Sequence, residues 1–136
     1  MKALLGLLLL YSQFANAETW ISTSLLSYHF DRHDKKNERN YGIGLEHDYS
    51  ARARLVAGIY KNPNRIDSGY LGAVGCVYRT TNWCAGALAG GVTGYERYTI
   101  LMGGLVLSYE QKGWGVNLVA FPKDGGVAAL QLKRRF

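Results

Sequence analysis

Proline, cysteine and histidine are scarce in this chain of 136 residues, which has two, two and three of them respectively. So few prolines exclude a proline-rich linker protein, and two cysteines exclude a disulfide-stapled mini-protein. The cysteines and histidines show no ligand spacing, so neither a metal site nor a cofactor is expected. Apolar residues make up 48% of the chain and charged residues 19%, which excludes a disordered protein. The sequence contains no nucleophile elbow, phosphate loop or paired-carboxylate motif.

The first seventeen residues have the pattern of a secretory signal peptide. Lys2 precedes the apolar run 3–10, and an Ala-x-Ala site occupies residues 15–17. The alternative is an uncleaved anchor, but about eight apolar residues are too few for a membrane helix, which needs roughly twenty. We therefore expect residues 1–17 to be removed and residues 18–136 to form a single domain. No later run reaches eighteen apolar residues, so no transmembrane helix is expected.

Apolar residues in the remaining chain alternate with polar or small ones at a period of two, which is typical of β-strands. In the last segment, Leu130 and Leu132 alternate with Gln131 and Lys133. The same alternation recurs at residues 41–46. Turn signals delimit eight predicted strands, at residues 20–30, 40–47, 54–60, 68–78, 84–94, 98–110, 114–121 and 127–136.

An antiparallel sheet of short strands hides its edges most simply by closing into a barrel. Strands of about 9–11 tilted residues span a bilayer, and eight of them use nearly the whole chain. The alternating last strand ends on Phe136, which looks like the terminal signature of bacterial outer-membrane barrels and is the expected signal for the barrel assembly machinery. The sequence thus predicts an all-β fold: an eight-stranded antiparallel up-and-down transmembrane β-barrel in the outer membrane of a Gram-negative-type cell. The alternative is a soluble periplasmic barrel that binds a small apolar ligand.

Aromatic residues near the predicted strand ends are candidates for the interfacial girdles of such a barrel. Good strand formers would include many of the same residues, so this pattern alone does not decide between the two explanations. The candidates are Trp20, Tyr41, Tyr60, Tyr70, Tyr78, Trp83, Tyr95, Tyr98, Tyr109 and Trp114.

The chain is basic, with a net charge of +6 and a pI of about 9.4. A protein exported by a signal peptide does not encounter the nucleic acids inside the cell, and no recognition motif is present. Anionic lipid is therefore the better candidate partner. Lys35, Lys36 and Arg39, on the first outer loop at residues 31–39, could contact lipopolysaccharide phosphates or phospholipid. The alternative is a solvated loop, since the same segment also carries acidic residues.

Cys76 and Cys84 flank a predicted turn and share one face of its hairpin. If they lie directly opposite each other, their β-carbons are close enough for a disulfide, which an oxidising periplasm permits. Two free thiols are the equal alternative.

Ser27, His29 and Asp31 share one face of the first strand and are the candidate catalytic residues. Successive members lie about 6.6 Å apart along a strand, which is too far for a direct relay. A working site would need help from a neighbouring strand, for which inward-facing Glu46 is the nearest candidate. The alternative is a polar barrel interior satisfied by its own hydrogen bonds.

Several short segments give the chain a likeness to a known family. They are Tyr28-His29-Phe30-Asp31, Asn37-Glu38-Arg39, Tyr41-Gly42-Ile43-Gly44-Leu45, Ala57-Gly58-Ile59-Tyr60-Lys61 and Ala120-Phe121-Pro122, with the closing Phe136. Together they make the chain resemble the lipid A palmitoyltransferase family of eight-stranded outer-membrane barrels. The resemblance implies transfer of a palmitoyl chain from phospholipid to lipid A, and it gives Pro122 a counterpart among the prolines that open the wall for lipid. The family's catalytic Asp-Ser pair falls on Asn62-Pro63, however, and its histidine falls near Leu25 rather than on His29.

Three hypotheses for the function follow. The first is a non-enzymatic outer-membrane barrel that binds lipid or modulates the cell surface. The second is a divergent lipid A acyltransferase that uses His29 with Ser27 and Asp31. The third is the soluble barrel.

Overall fold

The computed structural model describes residues 18–31, 36–95, 100–122 and 125–136; the predicted signal peptide lies outside these ranges. Within them the chain forms strands, and no helix there is long and apolar enough to cross a membrane. The strands are β1 (Thr19–His29), β2 (Gly42–Asp48), β3 (Ala53–Lys61), β4 (Asp67–Arg79), β5 (Trp83–Val92), β6 (Ile100–Gln111), β7 (Trp114–Phe121) and β8 (Val127–Arg135).

Each strand pairs with the next in antiparallel fashion, and β8 pairs with β1, which closes an eight-stranded barrel. The predicted all-β barrel is therefore confirmed. The predicted strands match the observed ones closely, with β2 beginning at Gly42 instead of residue 40 and β5 ending at Val92 instead of residue 94. The predicted first residues of β6, 98 and 99, lie outside the described part of the chain.

The connections divide the barrel into two ends. We call the end with both strand termini Thr19 and Arg135 the turn end, because its connections are the short segments 49–52, 80–82 and 112–113. The tightest of these uses Lys112 and Gly113, both at positive φ, a conformation that glycine adopts without strain. We call the other end the loop end; its connections are segments 30–41, 62–66, 93–99 and 122–126.

At the turn end of this barrel, charged side chains face the lumen, and large aliphatic side chains face outward along the wall. Smaller apolar side chains, among them Val74 and Val106, also face the lumen. Lys133, Glu46 and Arg54 are only 4%, 3% and 4% exposed, whereas Leu101 on the outer wall is 87% exposed. This outer belt consists of Ile21, Leu26, Ile43, Leu45, Leu55, Ile59, Leu71, Val77, Leu101, Leu105, Leu107, Leu118, Leu130 and Leu132. A water-soluble barrel, by contrast, exposes polar side chains on its outer wall.

Four of the ten girdle candidates prove to be luminal, so the girdle prediction is wrong for Trp20, Tyr60, Tyr70 and Tyr95. Trp20 is buried at 2% exposure, because it precedes a bulge in β1 and shares the inward face with Ser22. The other three line the interior cavity described below. Tyr98 lies outside the described residues.

Two glycines make room for Tyr70 to lie across the lumen. A Cβ on Gly44 would lie 2.2 Å from the Tyr70 hydroxyl, and a Cβ on Gly58 would lie 2.6 Å from it. Any side chain at either position would collide with the phenol, so these glycines are required by close approach. The Tyr70 ring also meets Tyr60 edge-on, with 6.0 Å between ring centroids.

Cys76 and Cys84 form a disulfide that faces the lumen at the turn end of β4 and β5. They do not lie directly opposite each other, which was the arrangement under which the sequence allowed a disulfide. A register shift between Cys76 and Tyr78 places Arg79 opposite Cys84, so the disulfide spans the hairpin diagonally. The Cα atoms are 5.5 Å apart, within the range that a disulfide requires.

Breaking this disulfide should destabilise the barrel moderately. The closed loop is short, with a sequence separation of 8, so loop-closure entropy predicts a loss of about 2.5 kcal/mol. Urea unfolding followed by tryptophan fluorescence, with and without reductant, measures the free energy of unfolding. The Cys76→Ser, Cys84→Ser double variant should match the reduced wild-type protein and should not respond to reductant. Equal unfolding free energies for oxidised and reduced wild type would contradict this role.

Candidate functional site

The lumen at the turn end is filled by a network of buried ion pairs that joins strands on opposite sides of the barrel. Lys133 Nζ on β8 lies 2.9 Å from Glu46 Oε2 on β2 and 2.7 Å from Glu110 Oε1 on β6. Arg54 on β3 lies 3.1 Å from Glu46 and 2.5 Å from Glu110. We call these four residues the charge cluster. Each carboxylate therefore contacts two cations, and each cation contacts both carboxylates.

Further polar groups complete the charge cluster. Arg54 Nε also binds Asp48, at 2.5 Å, and Arg79 lies 3.5 Å from Glu110. Asn117 donates from its amide to Glu46 and accepts a 2.7 Å hydrogen bond from the Ser108 hydroxyl. Positive and negative charges are equal in number over these residues, which offsets the cost of removing them from water. The network fills the lumen at this level, as expected for a barrel of eight strands.

An apolar cavity of about 260 Å³ lies beside this network and extends to the loop end. Aliphatic side chains from opposite walls form its surface, together with Tyr70 and Phe121. The main apolar contributors are Val56, Val74, Leu88, Val92, Met102, Val106 and Val119. Arg54, Glu46, Ser108 and Asn117 also line it, so the charge cluster forms its polar floor. One half of the lumen is thus ionic and the other half is apolar.

Polar groups line the loop-end mouth of the cavity. Ser27 and His29 both line it, and the Ser27 hydroxyl donates a hydrogen bond to the Asn40 side chain. Asn40 in turn donates to the Lys61 carbonyl at 2.9 Å. Glu38 precedes β2 but still bonds to β1. Its carbonyl accepts a hydrogen bond from the Ser27 amide, and its carboxylate accepts one from the His29 amide. The arrangement ties the first loop to the rim.

Asn62 is a structural hub at the same end. Its side chain is fully buried, and its amide donates to the Ser68 hydroxyl at 3.0 Å and to the Gly94 carbonyl at 2.7 Å. Its side-chain oxygen accepts from the amides of Asn64 and Ile66. Each hydrogen-bonding group of the side chain is thereby occupied in holding two loops together. The following Pro63 has no functional group that could act as a nucleophile.

The structure does not assemble the proposed catalytic residues into one site. Ser27 and His29 face the lumen together, but Asp31 is exposed beyond the end of β1. Glu46 pairs with Trp20 at the turn end and is held by Arg54 and Lys133, so it does not assist His29. In the described ranges, no three carboxylate, histidine or cysteine side chains converge to hold a metal ion.

The first loop contains the residues predicted to bind lipid phosphates. Lys36 is half-buried and Arg39 is exposed, with its amide bonded to the Asn37 side chain; Lys35 lies outside the described residues. Phe136 is 74% exposed at the turn end, with its amide bonded to the Thr19 carbonyl.

Three residues of the charge cluster were not predicted as site residues from the sequence: Arg54, Glu110 and Lys133. Their signal was available, because each is a charged residue on the polar face of an alternating strand. What alternation does not show is which of these charges meet across the lumen. That depends on strand tilt and register, which the closed barrel fixes.

Among the described residues, the ladder between β6 and β7 stops short of the loop end. The ladder between these strands ends at the pair Leu105 and Ala120, although β6 begins at Ile100. Pro122 follows β7 and has no amide proton to extend the ladder. Leu101 and Gly103 lie in the part of β6 that pairs with β5 but not with β7. Both residues are exposed and also border the cavity. The cavity lining therefore includes residues on the outer face of β6, where no described residue of β7 pairs with this strand.

No protein-family model matches this chain, and no curated protein matches it.

Removing one charge from the charge cluster should destabilise the barrel strongly. Lys133→Met leaves Glu46 and Glu110 with one cation fewer in a buried site, and we expect a loss of about 3 kcal/mol or more. Arg135→Met is the matched control, because it breaks an exposed pair with Glu18 and should cost under about 1 kcal/mol. Urea unfolding in detergent measures both. Equal losses for the two variants would show that the buried network does not stabilise the barrel.

Proposed function

We propose that this protein is a small outer-membrane β-barrel that binds lipid and holds one acyl chain in its apolar cavity, without an enzymatic role. The observation that carries the proposal is the division of side chains between the two faces of the wall. Glu46, Arg54, Glu110 and Lys133 are buried in the lumen, and the large aliphatic residues of the outer belt are exposed. Water would penalise this arrangement, since each large side chain left exposed forgoes roughly 1.5–3 kcal/mol of burial. Lipid tails remove the penalty.

Two aromatic bands bracket the outer belt and support a membrane location. At the turn end, Trp83 and Tyr109 have ring centroids 4.9 Å apart, and Tyr109 and Trp114 have theirs 6.0 Å apart. At the loop end, Tyr28 and Phe30 stack edge-on at 5.2 Å, and exposed Tyr41 directly precedes β2. Aromatic rings at both interfaces of a bilayer are typical of transmembrane barrels.

The cavity suits a single hydrocarbon chain. A dry apolar cavity of about 150 Å³ accommodates benzene in another protein, so a volume of about 260 Å³ holds one chain segment and not several. The break between β6 and β7 gives a chain a path from the surrounding lipid to this cavity.

Binding is favoured over acyl transfer by the state of residues 62 and 63. The resembled family uses an acid and a serine at these positions, whereas here Asn62 is committed to structural hydrogen bonds and Pro63 has no hydroxyl. The soluble barrel is disfavoured because a soluble lipid carrier exposes polar and not aliphatic side chains.

Membrane location is tested by fractionation. We expect the protein to sediment with the outer membrane and to remain there after a carbonate wash. Deletion of Phe136 should reduce the assembled fraction, while Arg39→Gln at the loop end should leave assembly unchanged. Release of the protein by carbonate, or full assembly without Phe136, would count against the proposal.

A lipid A mass spectrum from the same cells should show no added acyl chain; an addition would establish the acyltransferase alternative.

Filling the cavity should weaken lipid binding. Val106 is buried and lines the cavity, so Val106→Phe places extra volume where the chain would lie. We expect the affinity for a fluorescent polyene fatty acid to fall at least tenfold, and Val92→Phe on the neighbouring strand β5, closer to the loop end, should act alike. Leu107→Phe is the control, because Leu107 follows Val106 in the chain and its own side chain faces outward, with 41% exposure. Unchanged affinity in both filled variants would place the lipid elsewhere.

A further inference from the structure

The turn end of the barrel carries exposed cations without acidic partners. Arg52, Lys112 and Arg134 are all exposed there, and none of them forms an ion pair with a described residue. They lie on the connection between β2 and β3, on the connection between β6 and β7, and at the end of β8. Lys112 and Arg134 therefore lie on neighbouring parts of the rim, and Arg52 lies across the barrel from them.

The acidic groups at the same end are already neutralised. Glu18 lies 2.5 Å from Arg135, and Asp48 lies 2.5 Å from Arg54. Glu110 belongs to the charge cluster in the lumen. The rim consequently presents a net positive charge to whatever surrounds it. The loop end differs, because its described cations Lys36, Arg39, Lys61 and Arg65 are accompanied by the acids Asp31, Glu38 and Asp67, and Lys61 is paired with Asp67.

Each of these cations lies beside an exposed aromatic residue of the outer wall. Arg134 is the cross-strand partner of Trp114. Lys112 precedes Trp114 by two residues in the tight turn. Arg52 donates to the carbonyl of Val77 at 3.0 Å, next to Tyr78. Aromatic rings at the depth of the head groups, with cations just beyond them, match the polarity profile of a bilayer interface.

We infer that Arg52, Lys112 and Arg134 form a cationic collar that binds the phosphates of anionic phospholipids in the leaflet at the turn end. This inference rests on the proposed membrane location. It concerns the opposite end of the barrel from the loop residues Lys36 and Arg39. A cation close to an anionic membrane surface contributes about a fivefold gain in affinity. Arg52 on one side of the rim, and Lys112 with Arg134 on the other, would hold separate head groups and fix the depth of the barrel.

The test compares two variants with the same change in net charge. The collar variant is Arg52→Gln, Lys112→Gln, Arg134→Gln. The control variant is Lys61→Gln, Arg65→Gln, Arg135→Gln, in which two of the cations are ion-paired and Arg65 lies at the loop end. Native mass spectrometry of the detergent-solubilised proteins measures the affinity for phosphatidylglycerol relative to phosphatidylcholine. Heat-modifiable gel migration verifies that both variants are folded.

We expect the wild type and the control to prefer phosphatidylglycerol and the collar variant to lose at least tenfold of that preference. Equal losses in both variants, or no loss in the collar variant, would overturn the collar.

Flotation with neutral phosphatidylcholine vesicles tests insertion separately, since insertion does not need the cations. Failure to insert would overturn the membrane location together with the collar, whereas insertion without lipid preference would overturn the collar alone. If the collar variant lost binding to isolated peptidoglycan but kept its lipid preference, the partner would be an anionic glycan and the lipid assignment would be wrong.

Discussion

The barrel depends on the contacts of Glu46 and Glu110 with Arg54 and Lys133 inside its lumen. These residues belong to β2, β3, β6 and β8, so their ion pairs fasten the wall across its diameter where backbone hydrogen bonds act only around its circumference. Buried ion pairs often fail to repay their desolvation, and replacement by apolar residues can be neutral. An apolar lumen combined with an apolar outer wall, however, would leave the chain without a difference between its two faces. The charge cluster therefore specifies which face is inside.

Much of this fold could be predicted from alternation alone. Alternating strands such as β8 show both the strand and its polar face, and Lys133 is inward as its parity indicates. Prediction failed where a local irregularity changes the phase or pairing. The bulge near residue 25 moves the inward face from even to odd residues along β1, so Trp20 and His29 are both buried. The bulge beside Val77 similarly shifts the register of β4 against β5, so that Cys76 does not lie directly opposite Cys84. No residue type in either segment announces these shifts.

The candidate site was less predictable than the fold, because it is made of contacts between distant strands. The sequence indicated Ser27 and His29 as luminal, and both line the cavity. It gave no sign that Tyr70 would lie across the lumen, which depends on glycines at positions 44 and 58 on two other strands. It also gave no sign that Asn62 would join two loops, since its acceptors belong to Ser68 and Gly94. Such assignments require the register of the closed barrel.

The two halves of the lumen meet opposite physical requirements. At the turn end, filled volume and balanced charge hold the wall together, and the short connections leave little freedom there. At the loop end, the β6 to β7 ladder stops early and the interior is apolar and unfilled, so the wall is weakest where the cavity lies. A cavity forgoes packing contacts and lowers stability. The charge cluster offsets that loss from the other half of the same strands, which is why a small barrel can keep an open apolar site beside a lateral break. An acyl chain in the cavity would restore the missing contacts, so lipid binding and stability should rise together.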